Sequence, residues 1–150
     1  MYGESEVGTW KVDALRNRIF RAAGVEIDAI RKELAAGNVR QLLKEADLLI
    51  DGFDNSRSRQ LVQEHARASG IPCIHVGLYA DYCEVAWDEI YRVPRDVAGD
   101  VCDYPLARNL VLLSVVLASE AIIRFVASGE KRSWSATLGD LTVLPKLQAT

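Results

Sequence analysis

At 150 residues with 49% hydrophobic content, the chain is long enough to bury a real core as one domain and stands far from the disordered class. Eighteen basic against 21 acidic residues leave a net charge of -3, which gives a duplex-binding surface no electrostatic support, so nucleic acid is not an expected partner. No charged-then-apolar leader opens the chain, and the most apolar run, Leu110 to Ala118, is about nine residues where a membrane span needs about 20. A cytoplasmic protein with no membrane contact is the expectation.

Residues 10 to 22 read as a helix with an apolar stripe at Val12, Leu15, Ile19 and Ala22, and 25 to 30 as a strand in which Val25, Ile27 and Ala29 alternate with Glu26 and Asp28. Asn38 can cap a helix running through Glu45. Leu48, Leu49 and Ile50 form the short continuous apolar run of a strand covered on both faces, over 47 to 51. Gly52 then lets the chain turn, Asn55 or Ser56 can cap a helix over 56 to 69, and Gly70 ends it. A strand over 72 to 77 follows, and the alternation of elements predicts a parallel sheet. Tyr79 to Trp87 and Ile90 to Val93 read as extended, antiparallel segments, and Pro94 to Asp103 as a polar loop. Leu106 to Ser128 is the longest helix, stopped by Gly129; its all-round apolarity predicts burial by the sheet on one side and by a partner on the other. Trp134 to Leu138 and Leu141 to Leu144 flank Gly139-Asp140, a hairpin signal.

The richest chemistry lies between Ala46 and Arg59, where an apolar strand ends in carboxylates, a glycine, an Asp-Asn pair and two arginines. In open α/β sheets ligands bind beyond the carboxyl ends of the strands, where backbone amides and helix amino-termini favour anions. Asp54 at that edge can hold a magnesium ion bound to nucleotide phosphates, while Arg57 or Arg59 can meet phosphate oxygens in a fork. The alternative is that these residues only cap the helix. Cys73, Cys83 and Cys102 make no Cys-x-x-Cys pair, so no zinc site is expected. Cys73 and Cys83 read as structural. Cys102 lies just before a helix, whose dipole can lower a thiol's pKa, although Asp100 and Asp103 oppose this. The two histidines, His65 and His75, build no Ser-His-Asp triad; His75 follows an apolar strand and can face the site or, as the preferred reading, the core.

Several segments, in order, resemble the ThiF/MoeB/HesA family of ubiquitin-activating-enzyme-like adenylyltransferases. Asp54-Asn55-x-x-x-Arg59 looks like that family's Asp-Asn-x-x-x-Arg signature, and Val7-Gly8-Thr9-Trp10-Lys11 like its Val-Gly-x-x-Lys. Ile71-Pro72-Cys73-Ile74-His75-Val76-Gly77 looks like its Gly-Ile-Pro strand, the helix ending in Ser119-Glu120-Ala121-Ile122-Ile123 like its penultimate helix, and Gly139-Asp140 falls at its closing hairpin. The resemblance runs over residues 3 to 144 and implies a Rossmann-like, mainly parallel sheet flanked by helices, with a C-terminal hairpin. It also implies activation of the terminal carboxylate of a ubiquitin-like or sulfur-carrier protein by ATP and Mg2+. Lys11 would neutralise phosphate charge, Asp54 would hold magnesium, Asn55 would complete the nucleotide loop, and Arg59 would brace that loop or contact phosphate. Cys102 would match the thioester cysteine of some members, and a homodimer or a complementary subunit is implied.

Two features depart from the family. The ten glycines, at 3, 8, 24, 37, 52, 70, 77, 99, 129 and 139, make no Gly-x-Gly-x-x-Gly, so the first nucleotide-binding βαβ unit is lacking, and the paired cysteines of a structural zinc are missing. Met1 stands about where the family's second half begins, which fits either a short member, one half of a split enzyme, or a fragment. The expectation is a single partial domain over 1–150 in which ATP binding is weak or absent. The competing reading is a non-catalytic binding or scaffold module derived from the same fold.

Overall fold

The protein is described by a computed structural model that covers residues 6–95, 107–139 and 142–146. It divides into two compact units, Met1–Glu33 and Leu34–Thr150.

The first unit holds helix α1, Lys11–Ala23. Gly24, at φ 67°, takes the left-handed conformation that ends the helix and returns its N–H to the Phe20 carbonyl at 2.8 Å. Asp13 lies in the first turn, where the helix dipole favours a carboxylate, and pairs with Arg31 at 2.6 Å and Arg16 at 3.5 Å. The strand expected over 25 to 30 does not form. A strand needs a neighbour for its N–H and C=O groups, and among the described residues none pairs with this segment. Ile27 and Ala29 are half-buried between exposed Glu26 and Asp28, but Val25 and Ile30 are exposed and no strand lies alongside among the described residues.

The second unit is a sheet between helices. Its elements in chain order are α2 (Val39–Leu43), β1 (Leu49–Asp51), α3 (Ser56–Ser69), β2 (Cys73–Tyr79), β3 (Tyr82–Trp87), α4 (Ala107–Ser128), β4 (Trp134–Thr137) and β5 (Thr142–Pro145). α2 is shorter than the sequence predicts, and Asn38 does not cap it: its Oδ1 instead accepts the N–H of Ala35 at 2.9 Å. The strands lie in the order β1-β2-β3-β4-β5. The parallel pairing that the alternating pattern predicts is realised by β1 and β2, joined through α3, with Asp51 opposite His75. From β2 onward each strand pairs antiparallel with the next, so the sheet is mixed. Ala80, at φ 52°, and Asp81 close the two-residue turn between β2 and β3, too short for a parallel crossover. Ile90 to Val93 is not a strand; the chain turns after Trp87 and brings Tyr91 inward.

Alternation along the strands divides the core between the two faces. On one face Leu49 and Cys73 meet Val62 and Ala66 of α3, with Leu34 and Leu43 packed alongside. On the other, Ile74, Val85, Trp87 and Trp134 meet Ala118 and Ala121 of α4, and Leu110 packs with Cys83 and Ala136 further along. The outer side of α4 is bare: Leu112, Val116, Ile123 and Val126 are 60%, 64%, 61% and 74% exposed. By length and composition alone this helix could cross a bilayer; its inner side packs on the sheet.

Candidate functional site

The site forms where the chain leaves β1 and enters α3. β1 is short because Gly52 and the Asp51 side chain turn the backbone: Asp51 Oδ1 accepts the Phe53 N–H at 2.9 Å. Asn55 then caps α3 in the extended conformation, φ -125° and ψ 143°, with its Oδ1 accepting the Ser58 N–H at 2.8 Å. Asp54 is therefore not the cap. It is exposed at the tip of the turn, its Oδ1 accepting from Asn55 Nδ2 at 3.1 Å. Asp54 thus sits exposed beside the start of a 14-residue helix, whose dipole favours negative charge at that end.

Beneath this loop lies a buried polar network. Asp51 and His75 are wholly buried, and His75 Nδ1 donates to Asp51 Oδ2 at 2.7 Å. The guanidinium of Arg59 reaches Asp51 Oδ2 at 3.3 Å and Tyr91 Oη at 3.1 Å through Nη1, and the Val76 carbonyl at 2.8 Å through Nη2. Tyr91 stacks on the His75 ring at 3.9 Å and 9°. His75 Nε2 lies 3.3 Å from Asp88 Oδ1, and Asp88 is held by Gln63 at 2.9 Å and Arg67 at 2.7 Å. Burial alone would raise the Asp88 carboxyl, but the bonds from Arg67 and Gln63 and the Arg67 charge outweigh it and hold Asp88 below its ordinary value. Burial, with the charges of Asp51, Asp88 and Glu89, pushes the Cys73 thiol up to about 12, and burial also raises Cys83. Both thiols are therefore inert at neutral pH.

The residues singled out from sequence fall in three places. Asp54, Asn55 and Arg59 come together on the turn and first helical turns of α3; Arg59 lies underneath with its guanidinium engaged, while Arg57 is exposed. Lys11 belongs to the first unit, exposed at the start of α1 after a turn in which Gly8 has φ 86°. Cys102 lies outside the described residues. Sequence reasoning did not single out Asp51, His75, Asp88 and Tyr91 as site residues. The signal was the parallel pairing itself, which sets Asp51 opposite His75 once β1 and β2 are in register. Among the described residues no group of three or more His, Cys, Asp or Glu could hold a metal. A magnesium ion taken up with nucleotide phosphates needs only one or two carboxylates, so Asp54 fits that mode and no all-protein cage is present.

The fold is shared with solved structures. Among solved structures, that of E. coli MccB with MccA-N7isoASN superposes with a TM-score of 0.74 at 12% identity, over 99% of this chain and 52% of that one. PaaA gives 0.68 at 13% identity, over 97% of this chain and 57% of that one, and E. coli MccB with ATP gives 0.65 at 13%, over 99% and 50%. The chain thus spans about half the length of these structures. No curated protein matches it. The ThiF family model matches residues 1–90, more than half of the sequence and the part that holds the Asp54 turn and both strands beside it; the chain belongs to the ThiF family.

Proposed function

We propose that the chain is an adenylyltransferase module in which the Asp54 turn handles the phosphates of ATP while the terminal carboxylate of a carrier protein or peptide attacks the α-phosphate. The products would be an acyl-adenylate and pyrophosphate. The observation that carries this reading is the exposed Asp54 beside the Asn55-capped start of α3, within the segment that matches the ThiF model. MccB, a neighbour in fold, has been captured with ATP and with MccA, which supports a nucleotide and a polypeptide as the two substrates.

Each residue then has a task within its own reach. Magnesium held between Asp54 and the phosphates would neutralise charge that builds on the departing pyrophosphate. Arg57 would meet phosphate oxygens, Asn55 would keep the α3 amides pointed outward, and Arg59 would brace the turn from below. Lys11, in the first unit, would take the phosphate-neutralising role of the lysine in the Val-Gly-x-x-Lys motif it resembles. The carrier would be a ubiquitin-like or sulfur-carrier protein, and Cys102 would be the residue to accept it as a thioester where that step follows. The bare side of α4 would be covered by a second copy or by a complementary subunit.

A second reading, a binding module without catalysis, draws support from the lack of a Gly-x-Gly-x-x-Gly loop in the 150 residues. Titrating magnesium-ATP into the isotope-labelled chain separates the two. The catalytic reading predicts weak, saturable shifts centred on the amides of 52 to 58; no response there would remove nucleotide handling from this turn. A micromolar affinity, about -8 kcal/mol, would show instead that these residues build a complete site.

A further inference from the structure

The network beneath the turn is more than packing. An apolar side chain at position 75 would fill the same space without the desolvation that an imidazole between two carboxylates incurs. The ring's two nitrogens do different things. Nδ1 donates to Asp51 Oδ2 at 2.7 Å, and the other oxygen of that same carboxylate accepts the Phe53 N–H at 2.9 Å, closing the turn that carries Asp54. Nε2 faces Asp88 at 3.3 Å, and Asp88 is tied to Gln63 and Arg67 further along α3. Tyr91 covers the ring at 3.9 Å and also accepts from Arg59.

We propose that His75 is a positioning residue for the phosphate-handling turn, fixing through Nδ1 the Asp51 rotamer whose second oxygen holds the Phe53 amide, and so setting where Asp54 points. The proposal rests on the adenylyltransferase reading for its consequence in catalysis but not for its structural part. Asp51 has two supports on Oδ2: Arg59 at 3.3 Å and His75 at 2.7 Å. The shorter bond lies along the line of the β1–β2 pairing, in which the two residues face each other. If it is lost, the Asp51 carboxylate rotates toward Arg59, the Phe53 amide loses its acceptor, and the turn relaxes into solvent. Misplacing a catalytic group by about 1 Å is enough to lower a rate roughly a hundredfold.

The two arms of the ring can be separated by substitution. Asn puts an amide nitrogen near the position of Nδ1 and keeps the donor to Asp51, whereas Gln reaches toward Nε2 and places its amide beside Asp88 instead. Both lose the ring stacked on Tyr91. A purely structural role for His75 would therefore give the two variants similar behaviour. The positioning role predicts a split: in His75→Gln the Phe53 amide exchanges with solvent about tenfold faster than in the wild type, and in His75→Asn it stays near the wild-type rate. In ATP–pyrophosphate exchange by the full-length protein, His75→Gln should lower kcat with little change in KM for ATP, and His75→Asn should restore it.

Amide exchange is read without nucleotide, so it judges the positioning role even if the protein proves to have no exchange activity. Unchanged Phe53 exchange in His75→Gln, or the same acceleration in both variants, would overturn the proposal. Where His75→Gln does not fold, His75→Asn decides alone, because loss of Phe53 protection in that variant contradicts a role carried by the Nδ1 donor.

Discussion

Asp54 and Asn55 are neighbours with opposite duties. Asn55 holds the Ser58 amide and belongs to the fold, while Asp54 is exposed on the turn and, in the proposed function, meets the ligand. Asn55→Ala should therefore destabilise the protein by about 1 kcal/mol in chemical denaturation. Asp54→Ala should leave stability nearly unchanged and reduce magnesium-nucleotide binding; a large stability loss from Asp54→Ala with binding intact would reverse the assignment. Asp88 gives a pH signature. Its folded-state pKa is lowered, so it contributes stability above its ordinary value of 3.8, and that contribution is lost as the pH falls through the folded value. Asp88→Asn should flatten the acid limb of the stability curve below about pH 4 and leave its shape at neutral pH unchanged. Cys73, with its thiol pushed up to about 12 and its side chain buried, should resist iodoacetamide at pH 7 in the folded protein and react only on unfolding. Rapid labelling of folded Cys73 would mean that β2 opens far more readily than its packing implies.

At the scale of elements, α3 carries the site. Arg59, Gln63 and Arg67 follow one another at intervals of four, so one stripe of the helix turns three polar side chains toward the sheet and its outgoing loop. Arg59→Leu would leave Asp51 buried with His75 as its remaining side-chain partner, and a loss of about 3 kcal/mol or more is expected. Arg59→Lys should recover little of it, because one ammonium cannot span Asp51, Tyr91 and the Val76 carbonyl as the guanidinium does. Recovery of wild-type stability by lysine would show that charge alone matters at this position. The bounds of α3 were legible in the sequence, since Asn55 and Gly70 punctuate it at both ends. Its polar stripe was not legible as a network, because Asp51, His75 and Asp88 come from three different segments and meet only through strand register. Residues 25 to 30 failed for the converse reason: alternation describes a strand only when another strand lies beside it.

At the scale of the molecule, α3 and α4 pack on opposite faces of the sheet, and the outer side of α4 is left bare. Leu112, Val116, Ile123 and Val126 recur there at intervals of three or four, or their sum, and make a continuous exposed apolar stripe, the kind of surface that marks association. Leu112→Glu combined with Val116→Glu should shift the protein to the monomer in sedimentation while preserving its helical content. A wild type that is already monomeric at high concentration would contradict association through this stripe. The length of this helix, its burial against the sheet on one side and a side left to a partner could be read from the sequence, whereas which residues form the bare side could not, because apolarity all round does not say which side is covered.

The central claim is that the Asp54 turn is a site for nucleotide chemistry and not a helix cap. ATP–pyrophosphate exchange by the full-length protein with its carboxylate substrate, measured beside a thermal melt for the wild type and Asp54→Ala, tests it most directly. The account predicts exchange in the wild type, its loss in the variant, and superimposable melts. Full exchange activity in an Asp54→Ala protein whose melting point has dropped would contradict it.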